Sequence, residues 1–167
     1  MLFRSSEARG DGAATLLVTG RTLAGLDAQF PGLRESFDVV VAENGAVMQR
    51  GNAIRDLADP LGRVLSHHLT TAGIDHVVGR VIVACSAEDD HRVQVVLAER
   101  GLDPHLVRNR TELMSIPAGI SKGTGLLVGL HELGLSQHNT IAFGDAENDL
   151  SLLHAAEIGV AVANALP

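Results

Sequence analysis

Thr140-Ile141-Ala142-Phe143-Gly144-Asp145-Ala146-Glu147-Asn148-Asp149-Leu150-Ser151-Leu152-Leu153 is the stretch that decides the fold. The apolar run from Thr140 to Phe143 reads as a buried strand, and Ala146 to Ala155 has helical spacing, so Asp145 falls where a parallel strand turns into a helix. In open α/β sheets ligands bind at that position. With a helix starting near Ala146, Asp149 lies one turn beyond Asp145, and both carboxylates can face one crevice with the Asn148 carboxamide. Hard oxygen donors of this kind suit Mg²⁺. The same residues also have a plainer use, because an aspartate before a helix caps backbone N–H groups and acidic first turns are favoured by the helix dipole. The rest of the chain decides between the two.

A length of 167 residues fits one domain, or a small core with an inserted subdomain, and allows a real hydrophobic core. A hydrophobic content of 46%, rich in Val, Leu and Ala, suits a parallel sheet covered by helices. No apolar run reaches the length of a membrane span, and Met1-Leu2-Phe3-Arg4-Ser5 lacks a signal-peptide core, so the expectation is a cytoplasmic protein without a membrane partner. A formal charge of −7 and the absence of Trp and Tyr argue against a nucleic-acid partner, which needs basic surface and stacking platforms. A small molecule is the expected partner. The single cysteine, Cys85, excludes an internal disulfide and fits a reducing compartment.

Working back from the deciding stretch, Leu16-Leu17-Val18 reads as a strand opening into Thr19-Gly20-Arg21, and Thr22 to Phe30 as a short helix stopped by Pro31. A second strand, Phe37 to Val41, ends in Glu43-Asn44-Gly45-Ala46, a tight turn after which Val47-Met48 continues as a short strand. The pattern then changes. Residues 51–116 read as an inserted α+β block: a helix through Leu61, Val64, Leu65 and His68, a strand from Val78 to Cys85, a helix from Glu88 to Arg100, and two strands at His105 to Asn109 and Glu112 to Ile116. Residues 1–50 and 117–167 form the α/β core. In that last part Ser121 caps a helix with Leu126, Leu127, Leu130 and Leu133 on its apolar face, ending near Gly134, and Ile158 to Val162 is the final strand.

Four signals therefore stand in order: VTGR at 18–21, AENGA at 42–46, SKG at 121–123 and GDAENDLSLL at 144–153. Together they resemble the haloacid dehalogenase-like phosphohydrolases, in the branch with an α+β cap inserted after the third core strand. The resemblance implies a doubly wound, Rossmann-like parallel sheet and hydrolysis of a small phosphorylated metabolite such as a sugar phosphate, dependent on Mg²⁺. It implies that Thr19 hydrogen-bonds the transferring phosphoryl group, with backbone N–H groups of Gly20 and Arg21 nearby. Lys122 would neutralise phosphate charge and orient the nucleophile. Asp145 would bind Mg²⁺ directly, and Asn148 and Asp149 would complete or orient its sphere. Phosphoryl transfer is catalysed mainly by positioning and charge stabilisation, so a cation, a lysine and hydrogen-bond donors are what such a site requires. Singly, Thr19 is an ordinary strand-end residue and Lys122 an ordinary surface lysine, while Glu43-Asn44-Gly45 reads as only a turn before the insertion.

The family's aspartate nucleophile, in a D-x-D-G-T sequence on the first strand, is not found. Only 18 residues precede Thr19, and Asp11 in Arg9-Gly10-Asp11-Gly12-Ala13 reads as a turn residue. The implied sheet order is 5-4-1-2-3, so loss of the first strand would leave a gap between the strands ending at Thr19 and at Asp145. A partner copy could supply a strand there, which makes a homo-oligomer compatible with the sequence. The expectation is a truncated, weakly active or inactive hydrolase, with a non-catalytic phosphate-ester-binding or regulatory relative as the alternative.

Other chemistries fit poorly. Cys85 and Arg92 are seven apart, one more than a cysteine-phosphatase loop needs, and Glu88, Asp89 and Asp90 between them raise the thiol pKa. Gly119 to Thr124 lacks the spacing of a phosphate loop, and the eight histidines have no metal-site spacing.

Overall fold

The computed structural model describes residues 10, 12–145 and 147–162; Met1 to Ser5, Arg9, Asp11 and Ala146, named above, lie outside them. The chain divides into a core unit, Met1–Leu57 with Ser121–Pro167, and an inserted unit, Ala58–Ile120.

The core unit starts with β1 (Leu16–Val18), α1 (Leu23–Gln29), β2 (Val39–Ala42), β3 (Val47–Arg50) and β4 (Ala53–Asp56). Thr22 caps α1, its side chain accepting the Gly25 N–H at 3.0 Å, and the helix stops just short of Pro31, whose ring disfavours helical backbone in the residue before it. Asp38 sets the register of the first strand pair: its carboxylate accepts the Thr15 N–H at 2.8 Å. β1 and β2 then run parallel, with Leu16 opposite Val39 and Val18 opposite Val41. All four residues of β2 are buried, the mark of a strand covered on both faces. β3 and β4 extend this sheet antiparallel, in the order β1-β2-β3-β4. β4 corrects the boundary read from the sequence at residue 51: its four residues are all exposed, so no apolar alternation announced a strand that backbone pairing with β3 creates.

The unit is completed by α4 (Lys122–Leu133), β9 (Ile141–Gly144), α5 (Leu150–Ala155) and β10 (Ile158–Ala161), the other labels belonging to the inserted unit below. β9 and β10 pair in parallel as a separate two-stranded sheet. The parallel strands thus form two sheets, and the strand that the resemblance puts between β1 and β9 has no counterpart among the described residues. α4 unites the halves. Its Leu126 and Leu130 pack with Ala142 of β9 and Leu152 of α5, and Leu16 and Val18 of β1 lie against the same cluster. Each such leucine contributes about 1.5–3 kcal/mol on burial. α4 has the expected ends: Ser121 and Thr124 form a capping box, and Gly134 closes the helix at φ 68°. The second helix begins later than the sequence spacing predicts. Glu147–Asp149 is a 3₁₀ turn, and α5 proper starts at Leu150.

The inserted unit holds α2 (Gly62–Thr71), β5 (His76–Val78), β6 (Val83–Ser86), α3 (Asp90–Arg100), β7 (His105–Asn109) and β8 (Glu112–Ile116). Its sheet is antiparallel, ordered β5-β6-β8-β7, and both helices cover one core of Leu65, Leu69, Val83, Val93, Leu97 and Leu113. The single strand read at Val78 to Cys85 is a hairpin. Gly79 turns the chain and its N–H donates to the Ile82 carbonyl at 2.9 Å, so the apolar residues after it return antiparallel. Among the described residues no helix is long and apolar enough to cross a membrane.

Candidate functional site

Four segments of the core unit meet through a chain of contacts: the loop after β1, the turn after β2, the start of α4 and the loop after β9. The Thr19 N–H donates to the Val41 carbonyl at 2.9 Å, the Glu43 N–H to the Arg21 carbonyl at 2.9 Å, and the Asn44 N–H to the Thr19 carbonyl at 3.0 Å. These bonds hold Thr19-Gly20-Arg21 against the turn. Thr19 Oγ1 accepts the Arg21 N–H at 3.2 Å, which leaves its hydroxyl hydrogen to donate elsewhere. That bond also uses the Arg21 N–H that the sequence reading offered to an anion. The Arg21 guanidinium lies over the Phe30 ring, 5.9 Å from its centroid, so this side chain stacks on the end of α1.

Lys122 is the second cationic group, and it is a buried one. Its ammonium pairs with Asp149 Oδ1, and the two side chains are 8% and 9% exposed. A buried cation needs a partner of opposite charge, and Asp149 supplies it. Asp149 is its hydrogen-bond partner among the described residues, which leaves two of three donors for an anion. The other Asp149 oxygen accepts the Asp145 N–H at 3.0 Å. Both oxygens are therefore engaged by protein donors, and Asp149 ties Lys122 to the loop after β9. Sequence spacing could not reveal this, because the partners lie 27 residues apart.

Asp145 itself is exposed, and Asn148 Oδ1 is buried without a hydrogen-bond partner among the described residues. One carboxylate and one spare amide oxygen match the sparse protein share of a Mg²⁺ site, which keeps waters and substrate oxygens for its other positions. No group of three or more His, Cys, Asp or Glu that could hold a metal ion occurs among the described residues. Ser151 was missed from sequence: its hydroxyl accepts the Gly123 N–H at 3.3 Å and ties α5 to the start of α4. The turn Glu43–Gly45, read as a mere connection, is buried within the same cluster.

In the inserted unit Cys85 is half-buried. Burial first, then Asp89 and Asp90, push its thiol up from the ordinary value, so it stays protonated and unreactive.

Residues 105–167 match the family model of the haloacid dehalogenase-like hydrolases. The phosphoglycolate phosphatase of Sulfurisphaera tokodaii is 29% identical over 154 residues, which are 90% of this chain and 66% of that protein. The HMP-PP phosphatase of Escherichia coli is 39% identical over 95 residues, 54% of this chain and 35% of that protein. The chain therefore spans less than two thirds of either relative. A haloacid dehalogenase-like hydrolase from Bacteroides thetaiotaomicron superposes with a TM-score of 0.80 at 20% identity, over 99% of this chain and 81% of its own, a likeness of fold.

Proposed function

We propose that this chain, haloacid dehalogenase-like in fold and in the sequence of residues 105–167, is a phosphohydrolase acting on a small phosphorylated metabolite such as a sugar phosphate. The observation that carries the reading is the buried Lys122, paired with Asp149 and joined through the start of α4 and the turn after β2 to the donor loop at Thr19. A buried ion pair is a poor source of stability, so its presence between the start of α4 and the turn before α5 favours a role in holding anions.

The roles follow from the donors. The Thr19 hydroxyl and the Gly20 N–H donate to phosphoryl oxygens, and the Arg21 N–H keeps Thr19 oriented for that task. Lys122 supplies the fixed positive charge, which strengthens as charge builds on the transferring group in a site shielded from water. Asp145 and Asn148 would hold Mg²⁺. When bound, that ion neutralises phosphoryl charge. The inserted unit serves as a cap that selects the substrate. The relatives named as phosphatases of phosphoglycolate and HMP-PP support the substrate class without choosing a member of it.

A second reading is a phosphate-ester binder that does not turn over, favoured by the lack of a D-x-D-G-T nucleophile sequence in the chain. Mg²⁺-dependent hydrolysis of an aryl phosphate separates the two. The expected result is weak hydrolysis that Asp145→Asn abolishes. Equal activity in the variant refutes the site, and binding of inorganic phosphate without hydrolysis establishes the second reading.

A further inference from the structure

Glu43, Asn44 and Gly45 have φ values of 53°, 55° and 104°. Left-handed backbone is routine for glycine, tolerated by asparagine and disfavoured for glutamate, so this turn persists only because its surroundings over-determine it. It is also buried: Glu43 is 1% and Asn44 3% exposed, unlike a hairpin turn in water. On one side it carries the donor loop. Two of its N–H groups bond the Arg21 and Thr19 carbonyls, and a Cβ added to Gly20 would lie 3.2 Å from Asn44 Oδ1, so the carboxamide sits directly on Gly20. On its other side it meets α4. A Cβ on Gly45 would lie 2.0 Å from the Ser121 carbonyl oxygen, and one on Gly125 would lie 2.6 Å from Gly45 Cα. Ser121 is the residue before Lys122.

We propose that Glu43–Gly45 is a positioning turn that fixes the Thr19–Arg21 loop and Lys122 at one separation, with the Asn44 carboxamide as the part seated on the loop. The inference rests on the reading of Thr19 and Lys122 as two sides of one phosphate site. Donors that are to receive a phosphoryl group must be held to within a fraction of an ångström, and a rigid turn between them does so without reaching the ligand.

Inorganic phosphate titrated into the ¹⁵N-labelled chain tests this, with the amide signals of Gly20 and Gly123 followed in the natural sequence, in Asn44→Gly and in Gly45→Ala. Asn44→Gly keeps a backbone that glycine adopts freely and removes only the carboxamide; Gly45→Ala keeps Asn44 and drives the turn off Ser121. In the natural sequence both signals move with one dissociation constant. Each variant weakens it roughly tenfold, the equivalent of one well-placed hydrogen bond to a charged group. Wild-type affinity in both variants overturns the proposal, as does loss of the fold in Asn44→Gly. If the natural chain does not respond to phosphate, the functional reading fails, and the turn is judged on the ligand-free spectra. Shifts reaching both Gly20 and Gly123 in Gly45→Ala sustain the positioning role, and shifts confined to residues 43–45 refute it.

Discussion

The two units differ in what they bury. Among the described residues the core unit encloses Glu43, Asn44, Lys122 and Asp149, whereas Ser115 is the polar residue buried to that degree in the inserted unit. The ion pairs of the inserted unit, Arg92–Asp89 and Arg108–Asp90, leave more than half of each arginine side chain in water. Such surface pairs add little, and a single apolar cluster around Leu65, Leu69 and Val93 holds that unit together. The core unit accepts the desolvation of four polar groups and divides its parallel strands between two sheets. Where a fold keeps charges inside without a return in stability, the reason is sought in chemistry.

The strongest way to break this contrast is Lys122→Met, which strands the Asp149 carboxylate without its cation. It should lower the unfolding free energy by about 4 kcal/mol, read from urea denaturation, and abolish phosphate binding. Leu65→Ala should cost about 3 kcal/mol and leave phosphate affinity unchanged. If Lys122→Met costs no more than a surface substitution, the pair is not desolvated and the distinction between the units falls.

A smaller effect sharpens the comparison within the core unit. Phe143 on β9 is 56% exposed, while Val39 and Val41 on β2 are fully buried. Phe143→Ala should therefore cost about 0.5 kcal/mol, far below the loss for an enclosed phenylalanine. A loss several times larger would mean that the Phe143 ring is covered in solution, as it would be in a self-associated form; the concentration dependence of the urea midpoint checks this.

The smallest effect belongs to the inserted unit. Asp90 is held below its ordinary value of 3.8, first by the hydrogen bond from Arg108 and then by that from Gln94. A depressed carboxyl contributes stability above its unfolded value and loses it as pH falls through the folded one. Urea midpoints of the natural chain and of Asp90→Asn should differ slightly near neutrality and converge in acid below 3.8. A constant difference across that range would assign the effect to packing.

Much of the architecture was legible because its signals are local. Ser121 with Thr124 and then Gly134 bound α4 to the residue, and the turn between Asn109 and Glu112 separates β7 from β8 as their apolar patterns predict. The errors share one cause. β4 has no apolar pattern and exists by pairing with β3; the run from Val78 to Cys85 is mostly apolar, and the turn that begins at Gly79 and Arg80 splits it; the helix after β9 starts late because Asp149 turns inward to Lys122 and the Asp145 N–H.

The sequence by itself determined the caps and most of the strands and helices, and it marked Thr19, Lys122, Asp145, Asn148 and Asp149 as candidates, because periodicity, caps and short motifs are written within a few residues of each other. Tertiary structure alone decided that the parallel strands form two sheets bridged by α4, that Asp149 pairs with Lys122, and that Asn44 sits on Gly20. Those outcomes depend on which distant groups exclude water from one another, a property of the packed chain that no local stretch contains.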